Sequence, residues 1–426
     1  MMSDPRALLL ELYSAAIDAA QPGPAVTAAL EGAALRQRVH LIAIGKAAPA
    51  MAAAGAASIG AAGRALAGGV IVSTAEALPS ESIAGLSVLT GDHPVPGKRS
   101  VRAATAIADA VRRVEPDDSV LVLLSGGASS LAAAPVPGIN LDELVALNEA
   151  LLASGLDISA MNRVRKRFLQ WGAGRLAQAL APAEVRCLIA SDVVDDDIAV
   201  IGSGPCAPDD STAEDVAAIL TSGAIRERVP PAIFPLLADV SAGRIAETPG
   251  RGDPAFAGVH SEVIVRNRIA LAGAAERAAA LGLAAEVMAA PLSGEAAAAG
   301  TAIGRGLDGR EPGRCRIRGG ETTVPLGTST GTGGRCQELA LAAAREMAGR
   351  TGVTLLAAGT DGRDGPTEAA GALVDGDTWA RIGDAGRDAA VDLGRHDAFP
   401  ALADAGALIP QRATGTNVAD IVITLG

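Results

Sequence analysis

Short β-rich apolar runs alternate along this chain with alanine-rich stretches long enough for helices, and that alternation limits the folds open to it. Val39 to Ile44 reads as a strand running into Gly45-Lys46 and a helix from Ala47 onward. Ser119 to Leu124 reads as a buried strand closed by Ser125-Gly126-Gly127, and Arg186 to Ala190 as another ending at Ser191-Asp192. Gly69 to Val72 and Ser87 to Leu89 add two more, with a helix from Ser100 toward Val114. Parallel neighbours need a crossover that is usually a helix, so the pattern implies βαβ units, a largely parallel sheet and an α/β fold. A loop-like stretch from Ile201 to Thr212 and a proline-broken helical region interrupt it. Beyond them come strands at Val263 to Val265, Ala285 to Ala289, Arg314 to Arg318, Val353 to Ala358 and Ile421 to Leu425. Helices are expected over Ile269 to Leu281 and Gly294 to Leu307.

At 426 residues the chain exceeds what one core usually serves, and the interruption places a domain transition near residue 240. That gives an N-terminal domain over 1–240 and a C-terminal one over 241–426. With two Trp, one Tyr and four Phe, the cores must be built from Ala, Leu, Val and Ile. No apolar run has the roughly 20 residues that span a bilayer. The first helix, with Asp4 and Glu11 around an apolar face, does not read as a secretory signal. Four cysteines without a CxxC pair and four histidines without HExxH exclude a disulfide framework and a structural zinc site. A net charge of −12 argues against a nucleic-acid surface, so an anionic substrate needs a local basic pocket. The reading is a soluble, cytoplasmic protein with small-molecule partners, no membrane contact and an open oligomeric state, a homodimer included.

The chemistry concentrates in polar segments at strand ends, where open α/β sheets bind ligands. Foremost is Gly319-Gly320-Glu321-Thr322-Thr323, followed by Gly333-Gly334-Arg335-Cys336-Gln337-Glu338. Free N–H groups at a helix start, with a guanidinium beside them, suit a phosphate or carboxylate. Lys46 can hold a phosphate or simply begin a helix in solvent. Ser125-Gly126-Gly127 offers a hydroxyl and bare N–H groups as an anion nest, or is a tight βα turn. Asn162-Arg163-Val164-Arg165-Lys166-Arg167 is a basic cluster in an acidic protein, or a solvated helix face. Asp192, ahead of Asp195 to Asp197, and Asp361, in Thr360-Asp361-Gly362-Arg363-Asp364, can supply hard oxygen ligands for Mg²⁺. Gly91 to Lys98 fails as a P-loop: its glycine spacing is one residue too long and prolines replace N–H donors. No GxGxxG fingerprint is present either.

Taken in order, these segments resemble the type II glycerate kinases with a C-terminal MOFRL domain. The residues that carry the likeness in the N-terminal half are Gly45-Lys46-Ala47-Ala48, Gly91-Asp92-His93-Pro94-Val95-Pro96, Ser125-Gly126-Gly127, Asn162-Arg163-Val164-Arg165-Lys166, Ser191-Asp192-Val193 and Gly202-Ser203-Gly204-Pro205. The C-terminal half adds Gly320-Glu321-Thr322-Thr323, Gly333-Gly334-Arg335, Gln337-Glu338-Leu339-Ala340, Ala357 to Gly362 and Gly415-Thr416-Asn417-Val418. Three segments depart from the family's usual pattern. Cys336 stands where the family has asparagine, Arg167 and Trp171-Gly172-Ala173-Gly174 replace a histidine and a Lys-Gly-Gly, and Asp192-Val193-Val194-Asp195-Asp196 replaces Asp-Val-Pro-Gly-Asp.

The resemblance implies an N-terminal Rossmann-like parallel sheet and a C-terminal MOFRL-type α/β domain around a deep cleft, with the first about 40 residues free to pack on the C-terminal domain. It implies ATP-dependent phosphorylation of the 2-hydroxyl of D-glycerate to 2-phosphoglycerate, with ATP and Mg²⁺. Lys46 and Arg335 match the family's key lysine and arginine, and Asp192 or Asp361 is expected to take the hydroxyl proton or to hold the metal. Ser125, Gly126, Gly127, Asn162, Arg165, Glu321, Thr322 and Asp361 are expected to bind substrate or nucleotide. The alternatives are an NAD(P)H-dependent hydroxypyruvate reductase and a kinase for another small hydroxy acid.

Overall fold

A computed structural model describes residues 4–77, 83–193, 195–309, 311–326, 329 and 331–426. The chain divides into two compact units. One comprises Pro22–Ser191 and Asp195–Ile264; the other gathers the chain up to Gln21, a short piece at Asp192, and Val265–Gly426.

The first unit is built on a six-stranded sheet of β1 (Arg38–Ile44), β2 (Ala65–Ser73), β3 (Leu86–Thr90), β4 (Ser119–Leu124), β5 (Glu184–Ala190) and β6 (Val259–Val265). Its order is β3-β2-β1-β4-β5-β6, and β1 pairs in parallel with both β2 and β4. β4 is buried along its whole length and β1 at every residue but Arg38, as strands covered on both faces require. His40 is buried within β1 because its Nε2 lies 2.9 Å from Asp118 Oδ2.

A helical layer with its own core, including Leu147, Leu151, Phe168, Val216 and Leu237, belongs to the same unit. The basic run lies there on the helix Ile158–Arg167, and half of it points inward. Lys166 Nζ is 2.9 Å from Asp209 Oδ1, and Arg167 reaches Asp209, Glu247 and Thr248 Oγ1. That network ties residues 247 and 248 to the unit, and β6 then joins its sheet. The units therefore part at Val265, downstream of the transition expected near residue 240.

The second unit departs from the largely parallel sheet that the alternation implies. Its strands are β7 (Ala284–Val287), β8 (Arg314–Gly320), β9 (Thr354–Gly359), β10 (Ala369–Asp375), β11 (Leu408–Pro410) and β12 (Asp420–Leu425), in the order β11-β10-β9-β12-β8-β7. β7 and β8 are parallel, whereas β12 is antiparallel to both β8 and β9, and β10 to β9 and β11. β10 has no counterpart among the expected strands, because its Ala-Ala-Gly-Ala start carries little β propensity. Packing decides there: a Cβ on Gly371 would come 2.0 Å from Ala357 O, so only glycine lets β10 lie against β9.

The helix Arg335–Met347 is nearly all buried and forms the core of this unit with Leu355, Val374 and Ile382. The first helix, Pro5–Ala19, belongs here too: Tyr13 Oη donates to Gly359 O at 2.6 Å, and Thr416 Oγ1 donates to Ala20 O at 2.7 Å. Among the described residues no helix is long and apolar enough to cross a membrane.

The inward basic pair gives a stability test. Asp209→Ala leaves Lys166 and Arg167 buried without that counter-charge, which is expected to cost about 3–5 kcal/mol. A urea titration should show the loss as a lowered midpoint.

Candidate active site

Strand order reverses between β1 and β4, and ligands of doubly wound sheets bind in the crevice outside the carboxyl ends at such a point. β1 ends in Gly45-Lys46 and β4 in Ser125-Gly126-Gly127. The two loops interlock. Lys46 N donates to Gly126 O at 2.9 Å, and Ala47 N donates to Ser125 Oγ at 3.0 Å. Gly45 has φ +132°, and a Cβ there would fall 2.1 Å from Ser125 Oγ, so no other residue fits. Ser73 Oγ, at the end of β2, donates to Gly45 O at 2.8 Å.

The nest reading of Ser125-Gly126-Gly127 needs one change. Ser125 is fully buried and its hydroxyl accepts from Ala47, so it braces the loops. Gly127, at φ +86°, opens the short helix Ala128–Leu131, and the His93 ring lies 3.2 Å from where its Cβ would be. Ser129 Oγ and Ser203 Oγ are 2.7 Å apart beside them. Asn162 and Arg165 sit half-buried on the basic helix, where Arg165 Nε donates to Asn148 Oδ1 at 3.1 Å.

The second unit holds a cluster around Arg335, which begins its helix as expected. Asp420, the first residue of β12, receives Arg335 Nε at 2.6 Å and Nη2 at 3.0 Å, while Nη1 reaches Glu321. Burial works against the guanidinium charge, but the Asp420 carboxylate outweighs it and holds Arg335 above its ordinary value. Burial pushes Asp420 itself up. Cys336 is buried as a protonated thiol, raised by burial and by Asp420, to which it donates.

The anion site expected at this helix start is filled from within. Cys336 N and Gln337 N donate to the Asp364 carboxylate at 3.0 and 2.8 Å, and Gln337 Nε2 donates to Asp364 O at 3.1 Å. A Cβ on Gly334 would lie 2.2 Å from Asp364 Cγ, which is why the glycine precedes the arginine. The first-turn N–H groups are therefore capped by a side chain of the chain itself, and the guanidinium carries the outward-facing charge.

Asp361, Asp192 and Thr322 belong to the same unit. Asp361, at the end of β9, accepts from Arg363 N at 3.0 Å, and Asn417 Nδ2 donates to Asp192 Oδ2 at 3.2 Å. Thr322 is buried, and Val194 with residues 327, 328 and 330 of the long glycine loop lie outside the described residues. Sequence reasoning missed Asp420. It faces Gly320 across the β8 register and Gly359 across the β9 register, a pairing visible only once the strands are placed.

Over 437 aligned residues, covering all of both proteins, the chain is 37% identical to the D-glycerate 2-kinase of Thermotoga maritima. It belongs to the glycerate kinase family with a C-terminal MOFRL domain. Residues 8–238 match a family model described as a domain of unknown function (DUF4147), and residues 314–420 match the MOFRL family. The human glycerate kinase is 32% identical over 96% of this chain and 91% of its own length. A relative from Agrobacterium vitis, 38% identical over 98% of this chain and 93% of its own, is named provisionally as a hydroxypyruvate reductase. The crystal structure of the Thermotoga maritima glycerate kinase superposes with a TM-score of 0.84 at 35% identity, covering 98% of each chain. This glycerate kinase fold thus extends through both units.

Asp364 gives a pH test. Burial, then the charge of Asp420, raises its carboxyl to about 6, against the pull of the two backbone N–H groups. The folded state therefore holds a proton that the unfolded state releases near pH 4, the ordinary range of about 3.9. Its contribution to stability is full below that range and is lost as pH rises through about 6. Denaturation curves from pH 4 upward should show this fall in the wild type, and Asp364→Asn should remove it.

Proposed function

We propose that this chain transfers the γ-phosphoryl group of ATP to the 2-hydroxyl of D-glycerate. The observation that carries the reading is the end-to-end likeness to a D-glycerate 2-kinase, which spans every segment described above. In phosphoryl transfer a protein mainly positions the reactants and offsets charge on the moving group. Lys46, fixed to Gly126 at the strand-order reversal, and Arg335, fixed by Asp420, are the cations suited to that work. The N–H groups of Gly126 and Gly127 would face the nucleotide phosphates, and Asn162 and Arg165 would meet the substrate.

Among the described residues no three His, Cys, Asp or Glu side chains are grouped to hold a metal ion. Mg²⁺ in kinase sites needs only one or two carboxylates, with phosphate oxygens and water completing its shell. Asp192 and Asp361 fit that demand as the residues that would hold it. When bound, the metal supplies charge neutralisation at the phosphates. In the alternative, Asp361 holds the metal and Asp192, its carboxylate oriented by Asn417, accepts the hydroxyl proton. All four cysteines are free and buried, which suits a reducing cytoplasm.

The reductase alternative meets the doubly wound strand order, but the first βα turn carries Lys46-Ala47-Ala48 where a dinucleotide fingerprint has glycines. An ADP-release assay over a panel of hydroxy acids, with and without Mg²⁺ and with an NADPH control, separates the readings. ADP release that needs both D-glycerate and Mg²⁺ is expected; NADPH oxidation with hydroxypyruvate would overturn the kinase. Lys46→Ala and Arg335→Ala should each lower turnover by two or more orders of magnitude, roughly the scale of a lost transition-state contact. Near-wild-type turnover in either variant removes that residue from the mechanism.

A further inference from the structure

We propose that the two carboxylates on Arg335 have different tasks. Asp420 is a fixed positioning residue, and Glu321 is a place-holder on the outer arm of the guanidinium that an anionic group of the ligand displaces. The inference rests on the phosphoryl-transfer reading and deepens it at the same arginine.

The two partners differ in burial and in geometry. The Asp420 side chain is 4% exposed, and it takes both Nε and Nη2 in a bidentate pair. It is anchored in β12 between β8 and β9, and Cys336 donates its thiol hydrogen to it. Separating Arg335 from this carboxylate would leave a buried charge uncompensated, which proteins tolerate poorly. Asp420 therefore stays. Glu321 is 44% exposed and meets the guanidinium through its Nη1 arm. Its backbone is fixed, since Glu321 N donates to Leu292 O at 3.1 Å, so exchange proceeds by side-chain rotation. A solvent-accessible ion pair of this kind contributes little to stability and is easily released.

Charge balance gives the exchange its reason. One guanidinium shared by two ionised carboxylates leaves the group of three net negative, which repels a carboxylate or phosphate ligand. Moving Glu321 aside restores a neutral pair with Asp420 and opens the Nη1 edge to the incoming anion. The same fork geometry that accepts Glu321 accepts a ligand oxygen. Glu321 thus sets the affinity for the anion, whereas Asp420 sets where the guanidinium stands when the ligand reacts.

The experiment uses the full-length protein and four substitutions. Glu321→Gln should bind inorganic phosphate several-fold more tightly than wild type by calorimetric titration, and should show a lower KM for D-glycerate. Asp420→Asn should lower kcat roughly 10- to 100-fold with KM changed little, as expected when an interaction made only in the transition state is lost. Asp420→Glu keeps the charge but displaces the guanidinium, so it should lower kcat too and serves if the asparagine variant does not fold. In a protein that already carries Arg335→Lys, adding Glu321→Gln should no longer change phosphate affinity. Phosphate affinity equal to or weaker than wild type in Glu321→Gln overturns the place-holder role. Wild-type kcat in a folded Asp420 variant overturns the positioning role. A wild-type protein with no kinase turnover would instead defeat the phosphoryl-transfer reading, and the phosphate titration would still decide the place-holder.

Discussion

A carboxylate removed from water is costly unless donors surround it, and that cost fixes much of this molecule. Asp209 holds Lys166 and Arg167 inside the first unit. Asp364 fills the N-terminus of the helix Arg335–Met347, and Asp420 aligns the arginine that opens the same helix. In a chain with few aromatic side chains, dispersion over large rings cannot single out one packing. Buried acids tie particular segments together instead, Asp209 at the basic helix and Asp364 and Asp420 at the start of the helix Arg335–Met347.

The consequence for function lies in how little freedom the two cations have at their roots. Lys46 emerges from a loop locked to its neighbour by a glycine and a serine hydroxyl, and its flexible stem begins from a fixed backbone. Arg335 is held on one edge by a buried carboxylate and on the other by the half-exposed Glu321. Phosphoryl transfer rewards such arrangements, since donors already in place need no reorganisation as charge develops.

Strands such as β1 and β4 were legible because they are short apolar runs rich in Val, Ile and Leu with glycines just beyond their ends. β10 was hidden by its alanines and glycine, which become a strand only through the close approach of β9. The direction of pairing in the second sheet was also out of reach, since β12 joins strands far from it in sequence. At the site, Gly334-Arg335 announced an anion at a helix start, but the sequence could not say that the anion is Asp364. An acid just before an apolar strand usually marks its solvent boundary, and Asp420 looks no different until Gly320 and Gly359 are seen on either side. For the basic run the types were plain, yet which residues turn inward depended on where Asp209 lay.

The placement of the first helix carries a further consequence for how the second unit can be made. Tyr13 reaches Gly359 at the end of β9, and Leu9 and Leu12 are wholly buried in a unit whose sheet begins only after residue 264. The first unit, interrupted only by the short piece at Asp192, therefore stands between the two main parts of the second in the chain. A fragment starting at Val265 would present a bare apolar surface where that helix belongs, and β12 must still enter between β8 and β9 to close the sheet. Assembly of the second unit is thus a joining of distant pieces, with the loop-closure cost that such pairing carries.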